Sequence, residues 1–293
     1  MILVTGATGH VGRAVVGGLV SRGCDVAAMV RDAGAARRLL PPETMLRVAD
    51  YEDFEALTRA FEGIDNLVLV SSDGDADTAL RHHANAIDAA AAAGIRHITF
   101  TSIVDIDERS PFYYAPVYRD AERRLGLCGV PSTILRCGLY SDFILEYWLQ
   151  PDRPSGELVL PAGPGRVAPV SREDVAAAVA AVAARPGQYH GAYTITGDEA
   201  LDFGGIAATY GRATGRRLHY RACPADEYMR LATARLEDPW PHAFTTLCMS
   251  IAEDRYDFVS RDFATITGRK PEGFEDYVLR QAAAGGRADE PGK

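Results

Sequence analysis

Cysteine is sparse in this sequence of 293 residues: five occur, scattered as Cys24, Cys128, Cys137, Cys223 and Cys248. No CxxC pair or Cys/His cluster appears, which argues against structural zinc and a disulfide framework. Long apolar runs are missing too. The most apolar stretch, VAAAVAAVAA at 175–184, is too short and too alanine-rich to cross a bilayer. There is no excess of positive charge: 31 Lys and Arg stand against 40 Asp and Glu, for a formal charge of −9. Such a chain suits a nucleic-acid backbone poorly, because phosphate neutralisation needs clustered cations. A local basic pocket for one small anion stays compatible with that sum. MILVTGATG has no basic region ahead of an apolar run, so no secretory signal is read there and a reducing cytoplasm is the expected location.

What is present is ordinary globular material, 47% hydrophobic with 28 Gly and 16 Pro. The length allows one large α/β unit, or a main domain with a smaller companion, and buries roughly three quarters of the surface exposed on unfolding. Short apolar runs at 2–5, 25–30, 45–49, 66–71, 97–102 and 132–137 read as strands. Helical patterns at 11–23, 53–63, 78–93 and 116–128 lie between most of them. A doubly wound parallel sheet is the economical way to bury six such strands. Later, 141–148 reads as a possible helix, 153–170 as turn-rich with short extended pieces, and 172–187 as a firm helix. A strand is expected at 192–197 and helices at 202–214 and 224–236, around a basic extended segment at 215–222. The division this suggests is a dinucleotide domain at 1–140, with 165–198 returning to it, and a small, mostly helical substrate lobe from 141–164 and 199–285. A tail at 286–293 is expected to fray.

The clearest functional signal is TGATGHVG, where Gly6, Gly9 and Gly12 follow a strand and open a helix. Gly6 permits the tight turn, Gly9 lets the backbone approach a diphosphate, and Gly12 allows close helix–sheet packing. The first helical N–H groups, beside Thr8, His10 and Val11, then face the phosphates. The second strand ends at Arg31, with Arg37 and Arg38 close behind. A guanidinium there matches a ribose 2′-phosphate, so NADP(H) is preferred and NAD(H) stays possible. Asp32 leaves two alternatives open: it serves a free 2′-OH, or it pairs with an Arg31 that simply faces water. Asp50 is placed for the adenine side or for starting a helix. Ser71, Ser72, Thr101 and Ser102 lie at carboxyl ends of parallel strands, where ligands bind in such sheets.

These motifs resemble the NmrA-like branch of the atypical short-chain dehydrogenase/reductases, which includes NADPH-dependent quinone reductases and triphenylmethane-dye reductases. VTGATGHVG at 4–12, Arg31, TSIVD at 101–105, GVPSTILRCGLYSDF at 129–143 and GRVAPVSREDVAAA at 165–178 carry the likeness in order and spacing. The resemblance implies an extended Rossmann domain with a small C-terminal substrate lobe and no metal. It also implies a dinucleotide held by Gly6, Thr8, Gly9, Gly12 and Arg31, and a structural role for Asp174.

Ordinary members of the superfamily use Ser with Tyr-x-x-x-Lys, the Lys lowering the Tyr pKa. Ser102 and tyrosines at 113, 114 and 118 are present here, but Val117, Tyr118 and Glu122 stand four positions on, and no lysine precedes Lys270. The branch commonly has His where this sequence has Tyr118, with Glu122 retained. Tyr118 is therefore the candidate proton donor or substrate contact, the alternative being a packing role. Without a lysine, hydride transfer to an electron-poor acceptor fits better than alcohol oxidation, which needs a real base. The expected partner is a quinonoid or aromatic small molecule, with neither nucleic acid nor membrane, and with monomer and homodimer both open. Tyr140, Phe143, Tyr147 and Trp148 are read as a flat pocket or as lobe core, and Pro239, Trp240 and His242 as a lid between helical segments. Some relatives bind NAD(P) without turnover as redox sensors, and the incomplete catalytic set is compatible with that reading.

Overall fold

The computed structural model describes residues 1–72, 74–149 and 156–288. Strand β1 (Ile2–Val4) leads through the glycine loop into α1 (His10–Val20). There follow β2 (Val26–Val30), α2 (Ala33–Ala36), β3 (Met45–Val48), α3 (Phe54–Phe61), β4 (Asn66–Leu69) and α4 (Ala76–Ala92). Next come β5 (His97–Ile103), α5 (Ala115–Leu127) and β6 (Ser132–Cys137). The chain then forms α6 (Ser141–Phe143) with a π-helical turn Ile144–Trp148, β7 (Glu157–Leu160), β8 (Arg166–Val167), α7 (Arg172–Ala183) and β9 (Gly191–Ile195). The main sheet is parallel, in the order β3-β2-β1-β4-β5-β6-β9. Its order reverses between β1 and β4, and a crevice opens at the carboxyl ends of strands at such a switch point.

Each face of the sheet is sealed by helices. On one side Val15, Val16 and Leu19 of α1 pack with Val175, Val179 and Val182 of α7. Nine of the twelve α7 residues are buried, which explains an alanine-rich helix with no polar face. Its small side chains let it lie close to α1, where Gly18 faces Ala180. On the other side Leu57, Phe61, Ile87 and Leu125 cover Phe100 and Leu67. Each fully buried aliphatic or phenyl side chain contributes about 1.5–3 kcal/mol.

The rest of the chain is β10 (Leu201–Asp202), α8 (Phe203–Thr214), β11 (His219–Ala222), α9 (Ala225–Thr233), α10 (Trp240–Ala252), α11 (Asp262–Thr267) and α12 (Phe274–Ala288). Trp148, Phe203, Tyr210, Phe244 and Ile251 form its core. Two small sheets join this lobe, β7 parallel to β11 and β8 antiparallel to β10. One expectation needs correction. Trp240 and His242 belong to α10 itself, since Pro241 sits in its first turn, where a missing N–H costs nothing. Helix α12 reaches Ala288, into the stretch expected to fray; residues 289–293 lie outside the described residues, as do 150–155, part of which falls in the turn-rich expectation. Among the described residues no helix is long and apolar enough to cross a membrane.

Candidate active site

A cleft of about 440 Å³ opens at the carboxyl ends of β1, β2 and β4. Gly6, Thr8, Gly9, His10, Val11 and Gly12 form its floor. Gly6 takes a left-handed φ of +58°, as the tight turn requires. A Cβ on Gly12 would stand 2.1 Å from the Gly6 carbonyl oxygen, so the loop closes onto α1 only with glycine there. Gly9 precedes α1 without a side-chain cap. The first-turn N–H groups of α1 are thereby left for an anion from the cleft.

Arg31 and Asp50 stand at the β2 and β3 end of the cleft. The Asp32 carboxylate is used locally: Oδ1 accepts from Gly34 N at 2.7 Å and Ala35 N at 3.0 Å, capping α2. Those two backbone donors, Ala35 first, hold its pKa below the usual carboxylate range. Asp32 is thus withdrawn from the ribose position, and Arg31 is left as the charge at the strand tip. Of the two following arginines, Arg37 is turned away, donating to the carbonyls of Pro42 and Thr44. Asp50 accepts from Glu52 N at 3.0 Å, whereas the cap of α3 is Asp53.

Ser71 and Ser72 line the middle of the cleft. Thr101, expected to touch the cofactor, is instead buried at 2% exposure, and its Oγ1 accepts from Ser71 N at 2.8 Å. It holds Ser71 in place rather than facing the cleft. His83 Nε2 accepts from Ser72 N at 3.2 Å. Burial pushes the His83 imidazole down to about 4, so the ring stays neutral and available as that acceptor. Ser72 Oγ lies 2.6 Å from His82 Nδ1, and His82 stacks on Tyr51 with ring centroids 5.0 Å apart.

Beyond β1 the cleft ends at Tyr140 and Arg172. The Arg172 guanidinium lies 5.5 Å over the Tyr140 ring and 3.4 Å from the Glu146 carboxylate. Burial holds the Tyr140 phenol well above its ordinary range, with the neighbouring Cys137 thiol adding to the effect. Burial likewise pushes the Cys137 thiol up to about 12.

Of the expected catalytic residues, Ser102 at the end of β5 does not line this cleft. Ser102 is 2% exposed, and its Oγ donates to Glu122 Oε1 at 2.7 Å. Glu122 in turn holds Arg136 in a two-pronged ion pair at 3.0 and 2.6 Å. The alternation of β5 turns Ser102 toward α5 along with Phe100. Tyr118 is half-buried on that same side, its ring 5.7 Å from His83 and 6.3 Å from Phe100. Trp148 is fully buried against Phe203 and is lobe core, not pocket wall. Phe143 and Tyr147 cluster edge-on against Phe244, with ring centroids 4.9 and 5.1 Å away, and Trp240 lies 5.9 Å from Phe244. Sequence reasoning missed Arg172 and His82. Arg172 reaches the cleft from a helix far along the chain, hinted at only by its place in the first turn of that returning helix, and His82 reaches it from α4, the next helix after β4. Among the described residues no cluster of His, Cys, Asp or Glu is placed to hold a metal ion.

The sequence model of the NmrA-like family matches residues 1–261. Quinone oxidoreductase 2 of Escherichia coli (strain K12) is 34% identical over 227 residues, 75% of this chain and 77% of its own. The crystal structure of an NADPH-dependent quinone oxidoreductase from Escherichia coli complexed with NADPH matches with a TM-score of 0.89 at 28% identity, over 96% of this chain and 99% of that one. The triphenylmethane reductase of Citrobacter sp. complexed with NADP(H) matches with a TM-score of 0.87 at 26% identity, over 96% and 100%. With the fold, the glycine loop and the family match spanning most of its length, the chain belongs to the NmrA-like family.

Proposed function

We propose that this protein is an NADPH-dependent reductase transferring a hydride to a quinonoid or conjugated aromatic small molecule. The observation that carries this reading is the cleft itself, with an uncapped helix N-terminus at its floor and Arg31 at its tip, freed of Asp32. The α1 N–H groups from His10 onward take the diphosphate, Arg31 takes the 2′-phosphate, and Asp50 lies on the adenine side. Ser71 and Ser72 border the middle. When bound, the dihydronicotinamide supplies a hydride. NADH is the weaker alternative, because Arg31 then faces no phosphate. The NADPH- and NADP(H)-bound relatives point the same way.

The acceptor lies against the aromatic wall of Phe143, Tyr147, Phe244 and Trp240, beyond the Tyr140 end of the cleft. Flat electron-poor rings match such a surface by offset stacking and edge contacts. Tyr118 reaches toward Tyr140 from α5, and we assign it to the pocket wall or a proton contact. Residues 1–140 with 165–198 carry the cofactor, and 141–164 with 199–285 carry the acceptor. The five free cysteines fit a reducing cytoplasm.

The test mixes purified protein with NADPH or NADH and a panel of small quinones, following the near-ultraviolet absorbance of the reduced nicotinamide. Turnover with NADPH at least about tenfold better than with NADH is expected. Tight NADPH binding with no turnover on any acceptor would favour a redox sensor instead.

A further inference from the structure

NADPH carries charge at two places, its 2′-phosphate and its diphosphate, and Arg31 answers only the first. For the second, the described residues of the cleft offer the N–H groups of α1 and one further guanidinium, that of Arg172. Arg172 opens α7, which packs beside α1. Both helices run from the carboxyl ends of the strands toward their amino ends. Helix α1 joins parallel β1 and β2, and α7 leads from the Tyr140–Val170 bridge beyond β6 to the start of parallel β9. A Cβ added to Gly18 of α1 would stand 3.2 Å from the Cβ of Ala180 of α7, which fixes their register. The same number of residues leads back from Gly18 to His10 as from Ala180 to Arg172. Both helices rise by about 1.5 Å per residue, so Arg172 stands level with the first turn of α1.

The start of α7 is itself closed to an anion. Ser171 Oγ accepts from Asp174 N at 3.0 Å, and Glu173 and Asp174 bring negative charge to the first turn. What α7 contributes at this level is the Arg172 side chain. Its guanidinium lies 5.5 Å over the Tyr140 ring, 3.4 Å from Glu146 Oε2 and 4.0 Å from Asp142 Oδ1. Asp142 is already engaged by Arg172 N at 2.8 Å, and the Glu146 side chain is half exposed, at 51%. A pair of that kind is worth little in water, and a diphosphate is the stronger partner for a guanidinium. We propose that Arg172 is the second cation of the cofactor site: on cofactor binding it leaves Glu146 and holds the nicotinamide-side phosphate of the diphosphate. Geometry sets the side, because Arg172 enters from the Tyr140 end of the cleft, opposite Arg31 and Asp50. Glu146, in the π-helical turn that carries Tyr147, is the competitor that the phosphate displaces. This rests on the reductase reading above, which puts the nucleotide in the cleft.

The experiment measures equilibrium binding by titration calorimetry for wild type, R172Q, R31A and E146Q. The ligands are NADPH, NADH, 2′-phospho-ADP-ribose and adenosine 2′,5′-bisphosphate, the last of which lacks the nicotinamide-side phosphate. Loss of a charge-assisted contact corresponds to about ten- to a hundredfold in affinity. R172Q should weaken NADPH, NADH and 2′-phospho-ADP-ribose by one common factor in that range and leave the adenosine bisphosphate nearly unchanged. R31A should show the complementary pattern, sparing NADH alone. E146Q should tighten the ligands that carry a diphosphate by about two- to fivefold, because no carboxylate then competes for the guanidinium. A merely structural ion pair would instead make E146Q and R172Q weaken binding alike. Unchanged affinities in R172Q, a loss confined to the 2′-phosphorylated ligands, an equal loss on the adenosine bisphosphate, or weaker binding by E146Q would overturn the role of Arg172. Wild type that binds none of these nucleotides would overturn the reductase reading itself, a result distinguishable from the others.

Discussion

At the scale of single residues, Arg31 and Asp32 show how neighbours divide two tasks. Asp32 spends both of its short contacts on the start of α2, so the strand tip carries a net positive group. A charge-assisted hydrogen bond is worth about 1.5–3 kcal/mol. Arg31→Ala is thus expected to weaken NADPH binding by about ten- to a hundredfold while changing NADH binding little, as measured by fluorescence titration with each nucleotide. His83 makes a different prediction. Its folded-state pKa of about 4 lies below the ordinary 6.5, so between those values the unfolded chain binds more protons than the folded one. Stability therefore falls as pH drops through that window, by roughly 3 kcal/mol in all. Urea melts at neutral pH and near pH 4.5 should show much of this loss, and His83→Gln should reduce the slope. Protonating Nε2 also removes the acceptor for Ser72 N, so the cleft loosens together with the fold.

At the scale of elements, the first βαβ unit was the most legible part of the sequence. Its strand, loop and helix are contiguous, and the glycine spacing is dictated by contacts within twelve residues. The structure adds the reason Gly12 resists replacement: its absent Cβ points at the Gly6 carbonyl rather than only at the sheet. Gly12→Ala should displace the loop, abolish measurable NADPH binding and lower the melting temperature, which calorimetry with and without nucleotide would reveal. The Ser102 part of the catalytic expectation meets an equally local constraint. Ser102 sits at the expected strand end, but the period of two sends its side chain to the α5 face, where Glu122 and Arg136 hold it. Helix α10 was hidden because two prolines and a tryptophan at its start read as a break. Arg172 was hidden because topology, not spacing, delivers it.

At the scale of the whole molecule, one buried carboxylate ties the two halves together. Asp105, just beyond β5, is 3% exposed and accepts from Ser110 Oγ at 2.5 Å and from Ser250 Oγ of α10. Tyr113 N, on the same segment, donates to Thr246 Oγ1 of α10 at 3.1 Å, while the Tyr113 hydroxyl accepts from Ala76 N at 3.1 Å. The strap from 105 to 114 thus links the rim of the cofactor cleft to the helix bearing Trp240 and Phe244. Asp105→Ala leaves two hydroxyls without their acceptor and should cost about 1–3 kcal/mol. Its kinetic mark should be a several-fold higher KM for the quinone with NADPH affinity nearly kept, read from steady-state kinetics beside a binding titration.

Burial of Cys137 beside Tyr140 has a meaning for survival under turnover. Quinones are electrophiles that alkylate sulfur, and it is the thiolate that attacks. The thiol nearest the acceptor end is held protonated, with a pKa of about 12. Cys248, in the core behind the aromatic wall, is pushed up by burial as well. Cys24 and Cys128 precede β2 and β6, at the amino ends of the strands and so the opposite end of the sheet from the cleft. On the proposed reductase reading, these placements keep the Cys137 and Cys248 thiols from alkylation by an electrophilic acceptor.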